Sequence, residues 1–304
     1  MPTWSVILNE ANRVGATDPN AGIDYIVNQK RNYLAALSLK TGRNTILYFS
    51  GFLQKQPSND ASINDLDLNA LMENVHGLDK SRGLDLILHT PGGDLAATEQ
   101  IIKYLKTSFN GDIRAIVPQM AMSAGSMIAV SCKSVIMGKQ SSLGPFDPQL
   151  NGVPCQSAIR EFYKAVEDVS KNPASLGLWQ VILSKLNPTF LTLCAQADEL
   201  AEELTEKILE DKAIDKSIKA KIKNVFAKNT DSKIHSRHLD RDKCREAGLD
   251  IIDLDEDNEM QDLVLSIHHC CMILAEKTPV IKIVENNIGG CYVRNIGSPT
   301  PPRV

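Results

Sequence analysis

The chain has 304 residues, 43% of them apolar, and a formal net charge of −4 with both signs interspersed. That is enough for a full core in one large domain or two small ones, and the charge gives no nucleic-acid footprint. The longest apolar runs fall far short of the about 18 residues a membrane span needs, and the start, MPTWSVILNEANRV, lacks a basic region followed by a long apolar one, so a cytoplasmic chain without a membrane span is expected.

Residues 1–40 read as helical, because Ile23, Ile26, Val27, Leu34, Leu37 and Leu39 recur at three to four residues. Thr41-Gly42-Arg43-Asn44 is a turn signal, and 45–50, TILYFS, is the first clear strand. Residues 54–64 are polar and loop-like, and 66–75 have helical spacing. Leu84–Asp94 reads LDLILHTPGGD: an apolar strand, a Thr-Pro-Gly-Gly turn, then a helix expected over 95–109. Tandem glycines after a strand let backbone N–H groups face a bound group without a Cβ in the way.

Asp112–Ala129, DIRAIVPQMAMSAGSMIA, begins as a strand over 113–117 and restarts as a small-residue helix at Ser123-Ala124-Gly125-Ser126. A Ser at such a junction has its hydroxyl near the first free N–H groups of the helix. Two roles fit that place: an N-cap, or a nucleophile beside oxyanion donors. The Gly-Gly turn and the Ser turn end two successive strand-to-helix units, and in a parallel sheet both fall at the same edge. A short strand over 133–137 closes at Gly138, and 141–151 reads as a loop. Strand–helix alternation implies an α/β fold with right-handed parallel crossovers and helices packed over the sheet.

From 153 to 228 the pattern is helical, with amphipathic stretches at 158–169 and 191–209 and a helix start at Asn187-Pro188. Residues 229–255 combine a polar loop, a short helix over 241–247 stopped by Gly248, and a strand-like LDIIDL. A helix over 260–277, a strand over 280–284 and a Pro-rich tail follow. The expected organisation is a core with N-terminal helices over 1–154. A helical extension and a C-terminal α/β segment over 155–304 are expected to join the same compact unit. The seven cysteines read as buried reduced thiols. His268-His269-Cys270-Cys271 lies in a helix, where adjacent residues point to different sides, so no metal site is expected. No G-x-x-x-x-G-K-[ST] occurs, and no cofactor is expected.

HTPGGD, followed by AMSAGSMIAVS and GKQSSLGPFDPQL, resembles the serine dehydrogenase proteinase family, which groups with signal peptide peptidase A and the Clp proteases on the ClpP/crotonase fold. TGRNTILYFSGFLQ, IHSRHLDRDKCREAGLDI and KIVENNIGG resemble it as well. The resemblance implies a ClpP/crotonase-like parallel-sheet core. It also implies an ATP-independent serine peptidase acting on peptide or protein substrates, assembled as a homo-oligomer. Signal peptide peptidase A relatives are membrane-anchored, a feature this chain's expected location departs from.

The resemblance also assigns residues. Ser123-Ala124-Gly125 matches the nucleophile pattern of a Ser, then a small residue or Met, then Gly. Ser126 is the rival, one turn further in, where a hydroxyl tends to bond back to a helix carbonyl. The N–H of Ala124, with that of Gly93 or Gly92, would form the oxyanion hole. The position of the Clp protease His falls at Asp147-Pro148, and no His lies between Ser123 and His235. A Ser-Lys arrangement places its base at Lys164, in AIREFYKAVEDV, with Lys139 the second candidate and His235 and His238 further ones. Two other readings stay open: a catalytically inactive scaffold acting through protein contacts, and a crotonase-like acyl-CoA enzyme.

Overall fold

A computed structural model describes residues 3–150, 152–210, 212, 214–228 and 237–297. The chain forms two compact units, Met1–Gly144 with His238–Val304, and Pro145–Arg237. The helical stretch falls within Pro145–Arg237, and the C-terminal α/β segment groups with the first unit.

The strands are β1 (Asn44–Ser50), β2 (Leu84–His89), β3 (Ile113–Val117), β4 (Met120–Ala121), β5 (Ser134–Met137), β6 (Ser142–Leu143), β7 (Gln149–Leu150), β8 (Val153–Pro154), β9 (Leu239–Asp240), β10 (Ile251–Asp253), β11 (Val280–Asn286) and β12 (Cys291–Asn295). The α-helices among the described residues are α1 (Trp4–Val14), α2 (Pro19–Thr41), α3 (Leu66–Val75), α4 (Leu95–Ser108), α5 (Ala124–Ser131), α6 (Cys155–Lys171), α7 (Leu176–Leu183), α8 (Phe190–Glu210), α9 (Lys216–Phe226), α10 (Arg241–Glu246) and α11 (Asn258–Lys277).

In the first unit a seven-stranded sheet runs β10-β5-β3-β2-β1-β11-β12. Its first five strands are parallel, and β11 and β12 close one side antiparallel. Every residue of β1 and β2 is buried, as expected of a parallel sheet covered on both faces. On one face, Leu47, Phe49, Ile87, Ile116 and Ile136 pack with residues of α2 and α11, among them Ile26, Leu34, Leu37, Val264 and Ile267. The alternating residues Ile46, Leu86, Leu88, Ala115 and Val117 turn to the other face and are buried as well. The sequence-level α/β expectation, with a parallel core and flanking helices, describes this unit.

Details differ for local reasons. The N-terminal helical region is two helices, because Gly15 caps α1 and Pro19 opens α2, where its missing N–H costs nothing. Asp18 caps α2 by accepting from the Asn20 N–H at 2.9 Å. The expected loop over 141–151 carries β6 and β7, two-residue strands too short to show a pattern. β12 carries no clear strand signal, since CYVRN has mostly half-exposed or exposed residues.

In the second unit β7 and β8 pair antiparallel. Below them α6 packs on α8 around Cys155, Phe190 and Cys194, and burial pushes the Cys155 thiol up to about 12. Phe146 stacks on Phe226 at 5.5 Å.

Candidate functional site

β2 and β3 run parallel in register, Leu84 beside Ile113 to Ile87 beside Ile116, so their C-terminal turns share an edge. Beyond them the pairing resumes. The Thr90 N–H donates to the Met120 carbonyl at 3.2 Å, and the Met122 N–H donates to the Thr90 carbonyl at 2.9 Å. This lays Thr90-Pro91-Gly92-Gly93 against Met122-Ser123. Gly92 has φ 96°, and a Cβ there would lie 2.6 Å from the Met122 oxygen and 2.7 Å from Ser123 Cβ. On the turn's far side the Ile63 N–H donates to the Gly92 carbonyl at 2.8 Å, and the Asp94 N–H to the Ile63 carbonyl at 2.9 Å. A Cβ on Gly93 would overlap the Ile63 backbone. Glycine is required at both positions by close backbone approach.

Ser123 itself adopts φ 51° and ψ −123°, in the left-handed half of the map. Such a conformation costs a non-glycine residue on the order of 1–3 kcal/mol and persists only where the surroundings enforce it. Its half-buried side chain makes no capping bond to α5. The Ala124 N–H opens α5 and has no carbonyl within the helix to bond. The Gly92 N–H donates to Thr90 Oγ1 at 3.2 Å, whereas the Gly93 N–H takes no part in the bridge to Ile63. Ser126 is fully buried and committed: its hydroxyl donates to the Ala121 carbonyl at 2.6 Å and accepts from the Gly144 N–H at 2.8 Å.

A family model of ClpP-like SDH-type serine proteinases matches residues 62–264, a span that holds both turns and Ser123. The chain belongs to this family. Two similar proteins, MJ0137 and MJ1495 of Methanocaldococcus jannaschii, are uncharacterised. The first is 39% identical over 108 residues, 36% of this chain and 36% of that protein. The second is 42% identical over 87 residues, 29% of this chain and 30% of that protein. The chain thus spans about a third of the length of each relative. Among the described residues no helix is long and apolar enough to cross a membrane.

The structure brings Ser123, Ala124, Gly92 and Gly93 together in the first unit. Lys164 lies in the second unit, exposed on α6 beside the exposed Phe162, Tyr163 and Val166. Lys139 belongs to the first unit; its side chain is 77% exposed and pairs with Asp255 at 3.3 Å. His238 has its Nδ1 2.8 Å from the Ser142 hydroxyl, and Ser142 is the register partner of Met120 in the small sheet β4-β6-β9. His235 falls outside the described residues.

Sequence reasoning passed over a second feature of this edge. His89, the last residue of β2, is fully buried. It stacks on Phe49 at 5.2 Å and lies 5.0 Å from Phe52 and 4.7 Å, edge-on, from His268 of α11. Burial pulls the His89 pKa down to about 3. His268 is held well below its usual range, by burial first and then by His89 and His269. Burial thus favours the neutral form of both rings. The signal was available: a histidine closes the run LILH directly before the Thr-Pro-Gly-Gly turn.

Proposed function

We propose that the chain is an ATP-independent serine peptidase that cleaves peptides or partly unfolded protein through an acyl-enzyme on Ser123. The observation that carries this reading is the strained Ser123 backbone, held against Gly92 at the N-terminus of α5 with its hydroxyl uncommitted to a cap. In this reading Ser123 Oγ attacks the scissile carbonyl, and the N–H groups of Ala124 and Gly93 receive the oxyanion. Gly92 shapes the turn, since its own N–H is engaged by Thr90 Oγ1. Lys164 takes the Ser123 proton and returns it to the leaving amine; water then releases the acyl group. A lysine base works only when stripped of water, because burial disfavours the ammonium form. Lys164 is exposed in the single chain, so the proposal includes a homo-oligomer or a bound substrate that covers it. A cytoplasmic setting is part of the same proposal.

Labelling by a fluorophosphonate probe tests the nucleophile. Ser123→Ala is expected to lose the label and several orders of magnitude in kcat while staying folded. Ser126→Ala is expected to keep the label at some cost in stability, about 1–3 kcal/mol for its buried bonds. Labelling that survives in Ser123→Ala excludes this nucleophile. A wild-type chain that never labels points to a scaffold, and one retained on acyl-CoA resin points to crotonase-type chemistry.

A further inference from the structure

We propose that the buried cluster Lys282–Asp67–Tyr48 is a brace that positions the Gly92–Gly93 turn, and that Lys282 is therefore a positioning residue for the Ser123 site. The proposal rests on the peptidase reading. Lys282 of β11 has no exposed side chain. Its ammonium has three donors, and three acceptors stand in reach: Asp67 Oδ1 at 2.7 Å, Asp67 Oδ2 at 2.8 Å and the Ser62 carbonyl at 2.9 Å. Asp67 of α3 also accepts from the Tyr48 hydroxyl of β1 at 2.8 Å and from the Asn64 N–H at 2.9 Å.

The consequence lies in what the pair holds. One partner grips the Ser62 carbonyl and the other the Asn64 N–H, so both neighbours of Ile63 are fixed. The Ser50 hydroxyl adds a bond to the Ala61 carbonyl at 2.8 Å. Ile63 in turn makes the two bonds that clamp Gly92 and Asp94. The other side of Gly92 meets Ser123. A continuous run of contacts therefore leads from the ion pair through residues 62–64 and the glycine turn to the nucleophile. A buried ion pair adds little net stability compared with apolar residues of similar volume. What it does supply is directional hold on two backbone groups, which an apolar cluster lacks. A misplacement of about 1 Å at such a site costs on the order of 100-fold in rate.

The test is the double variant Lys282→Met with Asp67→Leu, which removes both charges and leaves neither unpaired. We expect it to fold. Its Ile63 and Asp94 amides should exchange hydrogen about ten-fold faster or more, because they make the clamping bonds. Its kcat should fall about ten- to 100-fold with KM little changed. The control is Lys30→Met with Glu285→Leu, a second buried ion pair in the same unit. It should leave both the two amides and kcat as in the wild type. If the double variant does not fold, Tyr48→Phe removes one bond to Asp67, and the same changes are expected at smaller size. Unchanged exchange at Ile63 and Asp94 overturns the brace. Faster exchange with an unchanged kcat, or an equal kcat loss in the control, overturns the positioning role. If the wild type hydrolyses nothing, the peptidase reading fails, while the exchange result still decides the brace.

Discussion

Ser123 and Lys164 carry the chemistry proposed for this chain, and the structure presents them very differently. Ser123 is held by neighbours on both sides, and its φ of 51° records that constraint. Lys164 stands in water on α6, flanked by carboxylates at Glu161 and Glu167 in sequence. An ordinary solvated lysine tolerates arginine, which keeps the charge and most of the bulk. A base does not, because a guanidinium cannot deprotonate near neutral pH. Lys164→Arg is therefore expected to be as inactive as Lys164→Ala, with losses of about 100-fold or more in kcat, the usual scale for removing a general base. Peptide hydrolysis by an active Lys164→Arg enzyme excludes this role and moves the test to Lys139→Arg. If both arginine variants hydrolyse normally, the Ser-Lys assignment fails.

Packing between β2 and α11 makes stability depend on pH. His89 has a folded pKa of about 3 against an ordinary 6.5, and His268 of α11 is shifted the same way. The rings face Phe49, Phe52, His269 and Gln119, and His268 Nε2 lies 3.2 Å from the Gln119 amide oxygen. Below 6.5 the unfolded chain binds protons that the folded chain refuses. For His89 stability is thus fully present above 6.5 and drains as pH falls toward 3, by up to about 1.4 kcal/mol per pH unit, and His268 acts in the same direction. Urea midpoints at pH 7 and pH 5 should show the drop, and His89→Phe should shrink it. A slope unaltered in His89→Phe refutes the assignment to this ring. The same elements show what the sequence could convey. β1, β2, β3 and α11 were legible because their apolar runs and periods survive burial on both sides. The glycine turn and the Ser turn were legible as a shared edge because parallel pairing puts them there. What was hidden depends on distant partners: Ile63 beside Gly93, Lys282 reaching Asp67, and β12 pairing only through β11. The φ of Ser123 was hidden too, because Ser-Ala-Gly reads equally well as a capped helix.

The second unit carries exposed apolar side chains on α6 and α7. On α6, Phe162 and Val166 are one turn apart, and on α7 so are Leu178 and Ile182, with Val181 beside them; all are exposed. Side chains four apart share a helix face. Single exposed apolar residues are common, but helix faces that repeat them mark interaction surfaces in soluble proteins. We expect wild-type protein at micromolar concentration to scatter light as a multiple of its 33.4 kDa chain mass. Leu178→Glu with Val181→Glu should dissociate it, because a carboxylate buried without a partner is strongly disfavoured. The fold should persist, since these side chains are 63% and 62% exposed in the single chain. A wild-type mass of one chain excludes the homo-oligomer. If the assembly also strips water from Lys164, which lies between Tyr163 and Val166 in sequence, dissociation must lower kcat together with mass. A dissociated variant with undiminished kcat would leave the oligomer standing and remove its role in activating the base.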